Sequence, residues 1–369
     1  MNELPAHAHV VTGEGVMNGT VIVDGDRIAG IEETSGEPDG WVIPGFIDTH
    51  THGGGGYSFT GGNAEQARQA AAFHASRGTT TVMASLVSGS QDFLLEATKN
   101  LKPLYDDGTI MGVHYEGPYI SPERRGAHDP SVLRDPSVEE AKQLMAAADG
   151  SAKMMTVAPE LNGAVETIEY LASQGVVVAL GHTDATWEQT VDGMDAGAIV
   201  ATHLCNAMRP FKHRDPGPIP ALLDDERTIS EVIADPVHLH HGTMQFIFDT
   251  ALPTWVHLVS DAMDAAGLDD GSYKLGNLDV DVEDGTARTK DGAIAGSTIT
   301  LLDAFRNAVH LGKQSVPAAS AMASEVPAET FGLTDVGTID PGKRADLLVL
   351  DNDLELKGVM RAGEWLDAA

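Results

Sequence analysis

Six residues in this chain have the types and spacing to hold a metal ion and use it. His50 and His52 stand in Asp48-Thr49-His50-Thr51-His52, and two-residue spacing puts both imidazoles on one face of an extended chain. Glu116 follows in HYEGP, His182 in ALGHTDAT, His203 in IVATHLCNAM and Asp261 in HLVSDAM. Taken singly, each has a plain reading: a histidine at a strand end is usually a hydrogen-bonded or surface residue, and an acid there caps the next helix. The joint pattern is what carries weight, because all six fall at the ends of predicted strands. Imidazole and carboxylate suit one or two borderline divalent ions, zinc first and ferrous iron second, and no thiolate cluster selects a softer metal. Asp261 has a second capacity. A carboxylate beside such an ion can take the proton of an attacking water and return it to a leaving group, while the ion activates the water and polarises a carbonyl. That combination describes hydrolysis of an amide or ester.

The elements that must position these residues can be read from periodicity. From about 41 to 335, strand-like and helix-like segments alternate. Predicted strands are 41–48, 79–84, 109–115, 153–157, 176–180, 198–202, 229–234 and 255–260, with nearly continuous apolar runs, as where both sheet faces are covered. Predicted helices are 63–77, 91–104, 137–148, 162–174, 187–195, 243–251 and 298–311. Eight strands alternating with helices make a (β/α)8 TIM barrel in the usual ~250 residues, although an open doubly wound sheet fits the periodicity alone. A closed barrel would gather all six residues at one mouth. The segment 272–297 breaks the rhythm and reads as a hairpin insertion near Asn277–Gly292. Both chain ends carry short β pieces, GTVIVDG at 19–25, RIAGIE at 27–32 and a run over 344–365. Neither end holds enough apolar surface for a core, so the two are expected to build one small β domain together.

Composition bounds the partners. The chain has 369 residues, with 23 Lys and Arg against 55 Asp and Glu, a net charge of −32. Such a surface repels nucleic acid and anionic membranes. It suits solubility, or a high-salt interior in which screening relieves self-repulsion. One cysteine, Cys205, excludes an intramolecular disulfide and fits a reducing compartment. MNELPAHAHV does not read as a secretory signal, and no run reaches the ~20 apolar residues of a membrane span. A soluble, cytoplasmic protein is the expectation. GGGG at 53–56 lacks the lysine and spacing of nucleotide loops and reads as backbone passing close to the metal site.

Several segments resemble the amidohydrolase superfamily, and within it the N-acetylglucosamine-6-phosphate deacetylases. They are PGFIDTHTHGGGG (44–56), HYEGPYISPERRGAH (114–128), TVAPE (156–160), GHTDAT (181–186), THLCNAMRPFKHRDPG (202–217), IADPVHLH (233–240), VSDAM (259–263), AGST (295–298) and PGKRADLLVLD (341–351). The resemblance implies an α/β fold, a distorted (β/α)8 TIM barrel over 44–335. A small β-sandwich comes from both termini, 1–43 and 336–369. It also implies hydrolysis of N-acetyl-D-glucosamine 6-phosphate to D-glucosamine 6-phosphate and acetate, by a homodimer. The family's metal positions fall on Glu116, His182 and His203, with His50 and His52 matching the two-metal form and Glu116 as bridge. Its catalytic acid falls on Asp261 and its carbonyl-contacting histidine on His128. Phosphate would be held by main-chain amides at Asn206 and Ala207, completed by Arg214 and His238 of the partner subunit. Amides where a helix begins after a strand, with an arginine fork, would supply the local donors that a field of −32 otherwise opposes.

Rival readings stay open. A deacetylase for N-acetylgalactosamine 6-phosphate, or for a related amino-sugar phosphate, would use the same site. A dihydropyrimidine-cleaving relative would want a bridging lysine on the fourth strand, and Lys153 lies upstream of that strand's C-terminal end. A non-catalytic barrel would have lost the general base, which is present. Arg124, Arg125, Arg209 and Lys212 add positive charge near the phosphate loop and are expected to line the substrate funnel or a dimer surface.

Overall fold

The computed structural model describes residues 4–366. Eight parallel strands form one sheet in chain order: β1 (Phe46–Asp48), β2 (Thr79–Val87), β3 (Gly112–Glu116), β4 (Ala152–Val157), β5 (Val177–Leu180), β6 (Ala198–Ala201), β7 (Ile229–Ile233) and β8 (Val256–Val259). Sequential parallel pairing through helical crossovers is what makes a TIM barrel. No ladder joins β8 to β1. Instead Asp261 N–H donates to His50 O at 2.8 Å, and Ser260 N–H to Asp48 Oδ1 at 3.3 Å. The seam of this distorted barrel is thus held at its mouth by the backbone of the site itself.

Helices α1 (Ala64–Ser76), α2 (Gln91–Asp106), α3 (Val138–Ala148), α4 (Ala164–Ser173), α5 (Trp187–Asp195), α6 (Pro218–Asp224), α7 (His241–Ala251) and α8 (Leu301–His310) surround the sheet. Side chains of Asn63, Ser90 and Ser137 accept from the backbone N–H three residues on, and Thr186 with Gln189 closes a capping box, which fixes where these helices start. Leu94 and Leu101 of α2 and Ile168 and Leu171 of α4 share the main core with Val113, Tyr115, Val157 and Leu180 of the strands. Burying each such side chain contributes ~1.5–3 kcal/mol. Inside the barrel the chemistry divides by height. The lower end is apolar, with Met83, Met154 and Val200 packed against Val326. Val326 belongs to α10 (Glu325–Thr330), which with α9 (Val316–Ala323) was not expected from the sequence; neither was α6. Toward the mouth, Ser85, His114, Thr156 and Thr202 form a buried hydrogen-bonded chain with links of 2.9–3.0 Å.

Both chain ends do meet. Strands Ala8–Thr12, Gly15–Asp24, Arg27–Glu33, Trp41–Pro44, Leu347–Leu350, Leu356–Arg361 and Glu364–Trp365 form one seven-stranded sheet around Val10, Val21, Ile28, Val42, Leu347 and Met360. Its far strand turns back on the other end of the chain, Ile28 N–H donating to Lys343 O at 2.9 Å and Gly342 N–H to Ile28 O at 2.8 Å. The run predicted as one strand, 41–48, is split between this sheet and β1. The break is Gly45, whose N–H donates to Asp346 O at 2.9 Å and where an added Cβ would lie 2.3 Å from Thr80 Oγ1. The insertion after β8 is a three-stranded antiparallel sheet, Gly271–Leu275, Leu278–Glu283 and Thr286–Thr289, rather than a single hairpin.

Candidate active site

Each of the six residues lies at, or a few residues beyond, the C-terminal end of a barrel strand. Glu116 ends β3; His182, His203 and Asp261 each stand two residues past β5, β6 and β8. Those three adopt left-handed backbone conformations, with φ of 46°, 28° and 46°. Such conformations in residues other than glycine cost roughly 1–3 kcal/mol apiece and persist where surrounding structure imposes them. They turn the chain sharply as it leaves the strand, so that the side chain points over the barrel axis.

The side chains converge. His182 Nε2 and His203 Nε2 each lie 3.0 Å from Glu116 Oε1 and 3.1 Å from each other. The other Glu116 oxygen lies 3.1 Å from His52 Nε2, which is 3.2 Å from Asp261 Oδ1, and His50 Nε2 is 3.5 Å from both carboxylates. Two groups of donors result, Glu116–His182–His203 and His50–His52–Asp261, the ligand atoms within each lying within 4.8 Å of one another. Glu116 faces both, as a bridge between two ions would.

Hydrogen bonds on the far side of each ring decide what the near side offers. His182 Nδ1–H donates to Arg124 O at 2.8 Å, His52 Nδ1–H to Ser85 O at 3.2 Å, and His50 Nδ1–H to Glu231 Oε2 at 3.1 Å. With each Nδ1–H so engaged, a ring without a second proton would aim its Nε2 lone pair at carboxylate oxygens that also carry lone pairs. Buried acceptors facing acceptors repel unless a cation or protons lie between them, and His50 Nε2 has no hydrogen-bond partner at all. The residues therefore fit a divalent metal, with outer-sphere partners of the kind that orient metal-ligating histidines. Electrostatics agree. Burial disfavours a charged His52, yet hydrogen bonds from its Nε2–H to Asp261 and Glu116 overcome it and lift the ring to about 9. Burial likewise opposes the Asp261 carboxylate, but His50 and His52 outweigh it and bring it down to about 2.

Above this cluster opens a cavity of about 300 Å³, with His52, Glu116, His128, His182, His203 and Asp261 at its floor. His128 comes from the loop after β3. Ser88 N–H donates to its Nδ1 at 3.3 Å, so its Nε2 carries the proton, 3.3 Å from Glu116 Oε2. Burial pushes His128 down to about 4, leaving a neutral donor at physiological pH.

Asn206, Ala207, Arg124 and His238 line the walls, together with Leu275 and Gly296 from around the inserted sheet. One expectation needs correction here. No helix begins at Asn206–Ala207; the chain there is a run of turns, and α6 starts only at Pro218. Asn206 N–H is engaged with His203 O at 2.9 Å, and Ala207 sits at φ 48°, so any phosphate contact comes from a strained turn and not from a helix start. His238 lines this chain's own cavity, because it follows β7 at the mouth and is anchored by Asp235 Oδ2 at 2.9 Å. Burial opposes charge on His238, but Asp235 keeps it above its ordinary value. Arg214 is exposed and outside the cavity. Of the other cations, Arg124 lines the cavity and pairs with Asp184 at 2.7 Å; Arg125 pairs with Asp291, Arg209 pairs with Asp215, and Lys212 is exposed.

Against known families, the model described as "Amidohydrolase family" matches residues 41–366. This chain is an amidohydrolase. Among related amidohydrolases, N-acetylgalactosamine-6-phosphate deacetylase of Escherichia coli O157:H7 is 36% identical over 328 residues, 88% of this chain and 87% of the relative. N-acetylglucosamine-6-phosphate deacetylase of Vibrio furnissii is 32% identical, covering 100% of this chain and 97% of its own. A mutant N-acetyl-D-glucosamine-6-phosphate deacetylase from Mycobacterium smegmatis, solved in complex with N-acetyl-D-glucosamine-6-phosphate, superposes with a TM-score of 0.93. It is 40% identical, over 98% of this chain and 99% of that one. No helix among the described residues of this amidohydrolase is long and apolar enough to cross a membrane.

Sequence reasoning missed two contributors to the amidohydrolase site. Glu231, wholly buried on β7, holds His50; its signal was an acid in the middle of the apolar run ISEVIA. Leu275 belongs to a segment set aside as an insertion, and nothing in its sequence signals that it walls the cavity.

Proposed function

We propose that this amidohydrolase hydrolyses N-acetyl-D-glucosamine 6-phosphate to D-glucosamine 6-phosphate and acetate. The observation that carries the reading is the convergence of His182 and His203 Nε2 on one Glu116 oxygen, at the floor of a cavity that also exposes Asp261 and His128. Relatives that bear this activity in their names match over nearly the full chain.

Glu116, His182 and His203 would hold one divalent ion, and His50, His52 and Asp261 a second beside it; zinc suits the donor set best, ferrous iron next. Bound there, such an ion supplies an acidified water and polarises the acetamide carbonyl. The protein's own groups do the rest. Asp261, kept ionised, accepts the proton of the attacking water and then delivers it to the departing amine nitrogen. His128 donates its Nε2–H to the carbonyl oxygen as negative charge develops on it, a positioned donor in a site shielded from solvent. Asn206 and Ala207 hold the phosphate, aided by His238 from the same chain and by Arg214 reaching from the partner of a homodimer. The exposed position of Arg214 supports its use between subunits, which sedimentation and an Arg214→Ala rise in KM would test. A cytoplasmic location belongs to the same reading, supported by the lone Cys205.

A second substrate has a specific observation in its favour. The E. coli relative at 36% identity is named for N-acetylgalactosamine 6-phosphate. Acetate release from the two epimeric phosphates, compared by kcat/KM, decides between them. Preference for the galactose epimer would overturn the glucose assignment and leave the chemistry standing.

A further inference from the structure

Glu231 is a carboxylate near the centre that does not line the cavity. Its side chain is wholly buried, and among the described residues its sole ionic partner within 4 Å is His50 Nδ1, at 3.1 Å. The same oxygen lies 3.4 Å from the His203 N–H, and Oε1 accepts from Thr49 Oγ1 at 3.4 Å. One carboxylate thus grips the ring of His50 from one metal group and the backbone of His203 from the other. No lysine or arginine compensates it. His257, paired with it across β7 and β8, is pushed down to about 4 by burial and cannot serve as its counter-charge.

A buried, unpaired anion is costly unless a cation answers it. Glu116, Asp261 and Glu231 all lie within 3.5 Å of the His50 ring, and among the described residues no lysine or arginine pairs with any of them. His50 also requires direction. Without an acceptor at Nδ1 its proton could move to Nε2, and the lone pair aimed at Glu116 and Asp261 would be lost.

We propose that Glu231 is a positioning residue for the second metal: it fixes the Nε2-presenting tautomer of His50 and supplies the charge that lets the His50–His52–Asp261 group hold an ion beside the one at Glu116–His182–His203. The inference rests on the metal-centre reading given above. Loss of such an outer partner typically lowers metal affinity 10–100-fold. Here that loss falls on one ion of two, while the other serves as internal control.

The test is zinc titration of metal-stripped protein, with bound metal counted by mass spectrometry, on the unsubstituted chain and on Glu231→Gln. Glutamine keeps the shape and an acceptor oxygen and removes the charge. The unsubstituted chain is expected to bind two zinc ions per subunit. Glu231→Gln should keep one at unchanged affinity and bind the other 10–100-fold more weakly. Two ions held with parent affinity in Glu231→Gln, or equal weakening of both, would overturn the role given to Glu231. An unsubstituted chain that binds no zinc would overturn the metal-centre reading itself, which is a separate outcome. Nitrogen-15 spectra of the unsubstituted zinc protein provide a check that needs no variant. His50 must keep its proton on Nδ1, and zinc bound through Nδ1 would contradict the proposal.

Discussion

His182 and His203, 21 residues apart in the chain and just past the ends of neighbouring strands, bring their Nε2 atoms to 3.1 Å from each other and 3.0 Å from a single oxygen of Glu116. Two imidazole nitrogens at that separation share either a proton or a metal. The choice between them sets how the protein responds to pH.

When metal is withdrawn, His52 is held at about 9 by Asp261 and Glu116 against the opposing effect of burial, so at neutral pH a proton occupies the ring. Metal must displace it. Loading zinc at pH 7 should therefore release protons, measurable in unbuffered solution. Affinity should rise about tenfold per pH unit for each proton displaced, levelling off near pH 9. Affinity that does not change between pH 6 and 8 would contradict this protonation pattern.

Asp261→Asn should fold, with a melting temperature close to that of the parent, and keep the ion at Glu116, His182 and His203. Its turnover, measured as acetate release, should fall by about 10²–10⁴-fold because the proton relay is gone. Activity near that of the parent would remove Asp261 from the mechanism.

His128 acts as a neutral donor, its ring held at about 4 by burial despite the upward pull of Glu116. His128→Gln should lower kcat by about 10²–10³-fold, the usual cost of losing one such donor. As the ring is already neutral above pH 5, no limb of the parent's pH–rate profile between 6 and 9 should vanish in the variant. Disappearance of such a limb would assign the titration to His128.

Gly181, next to His182, tests the scaffold. A Cβ there would lie 2.5 Å from Thr202 Cβ, the residue before His203. Gly181→Ala must push β5 and β6 apart where the two ligands emerge. It should cost about 1–3 kcal/mol in denaturant unfolding and reduce bound zinc more than its stability loss accounts for. Parent-like stability and metal content would mean that this close approach is not needed.

The barrel was legible because its eight strands are buried on both faces and read as short apolar runs; Trp187–Asp195 in α5 matches its predicted range. The six candidate ligands were legible because they are polar residues at the ends of those runs. What escaped detection follows physical lines. At 41–48 one apolar run serves two sheets, and only the crowding at Gly45 shows the break. Helix α6 is seven residues long and opens Pro218-Ile219-Pro220, too short for a period to register. At Asn206 and Ala207, where a helix start was expected, stands a left-handed turn that no residue type there announces.

The central claim is that four histidines and two carboxylates hold divalent metal for amide hydrolysis of an acetylated sugar phosphate. Its most direct test measures metal content and acetate release on one preparation, with N-acetyl-D-glucosamine 6-phosphate as substrate, before and after chelation. The account predicts one or two divalent ions per chain, acetate release that chelation abolishes, and recovery when zinc or ferrous iron is returned. Full activity in protein stripped of metal, or metal-loaded protein that releases no acetate from either epimeric phosphate, would contradict it.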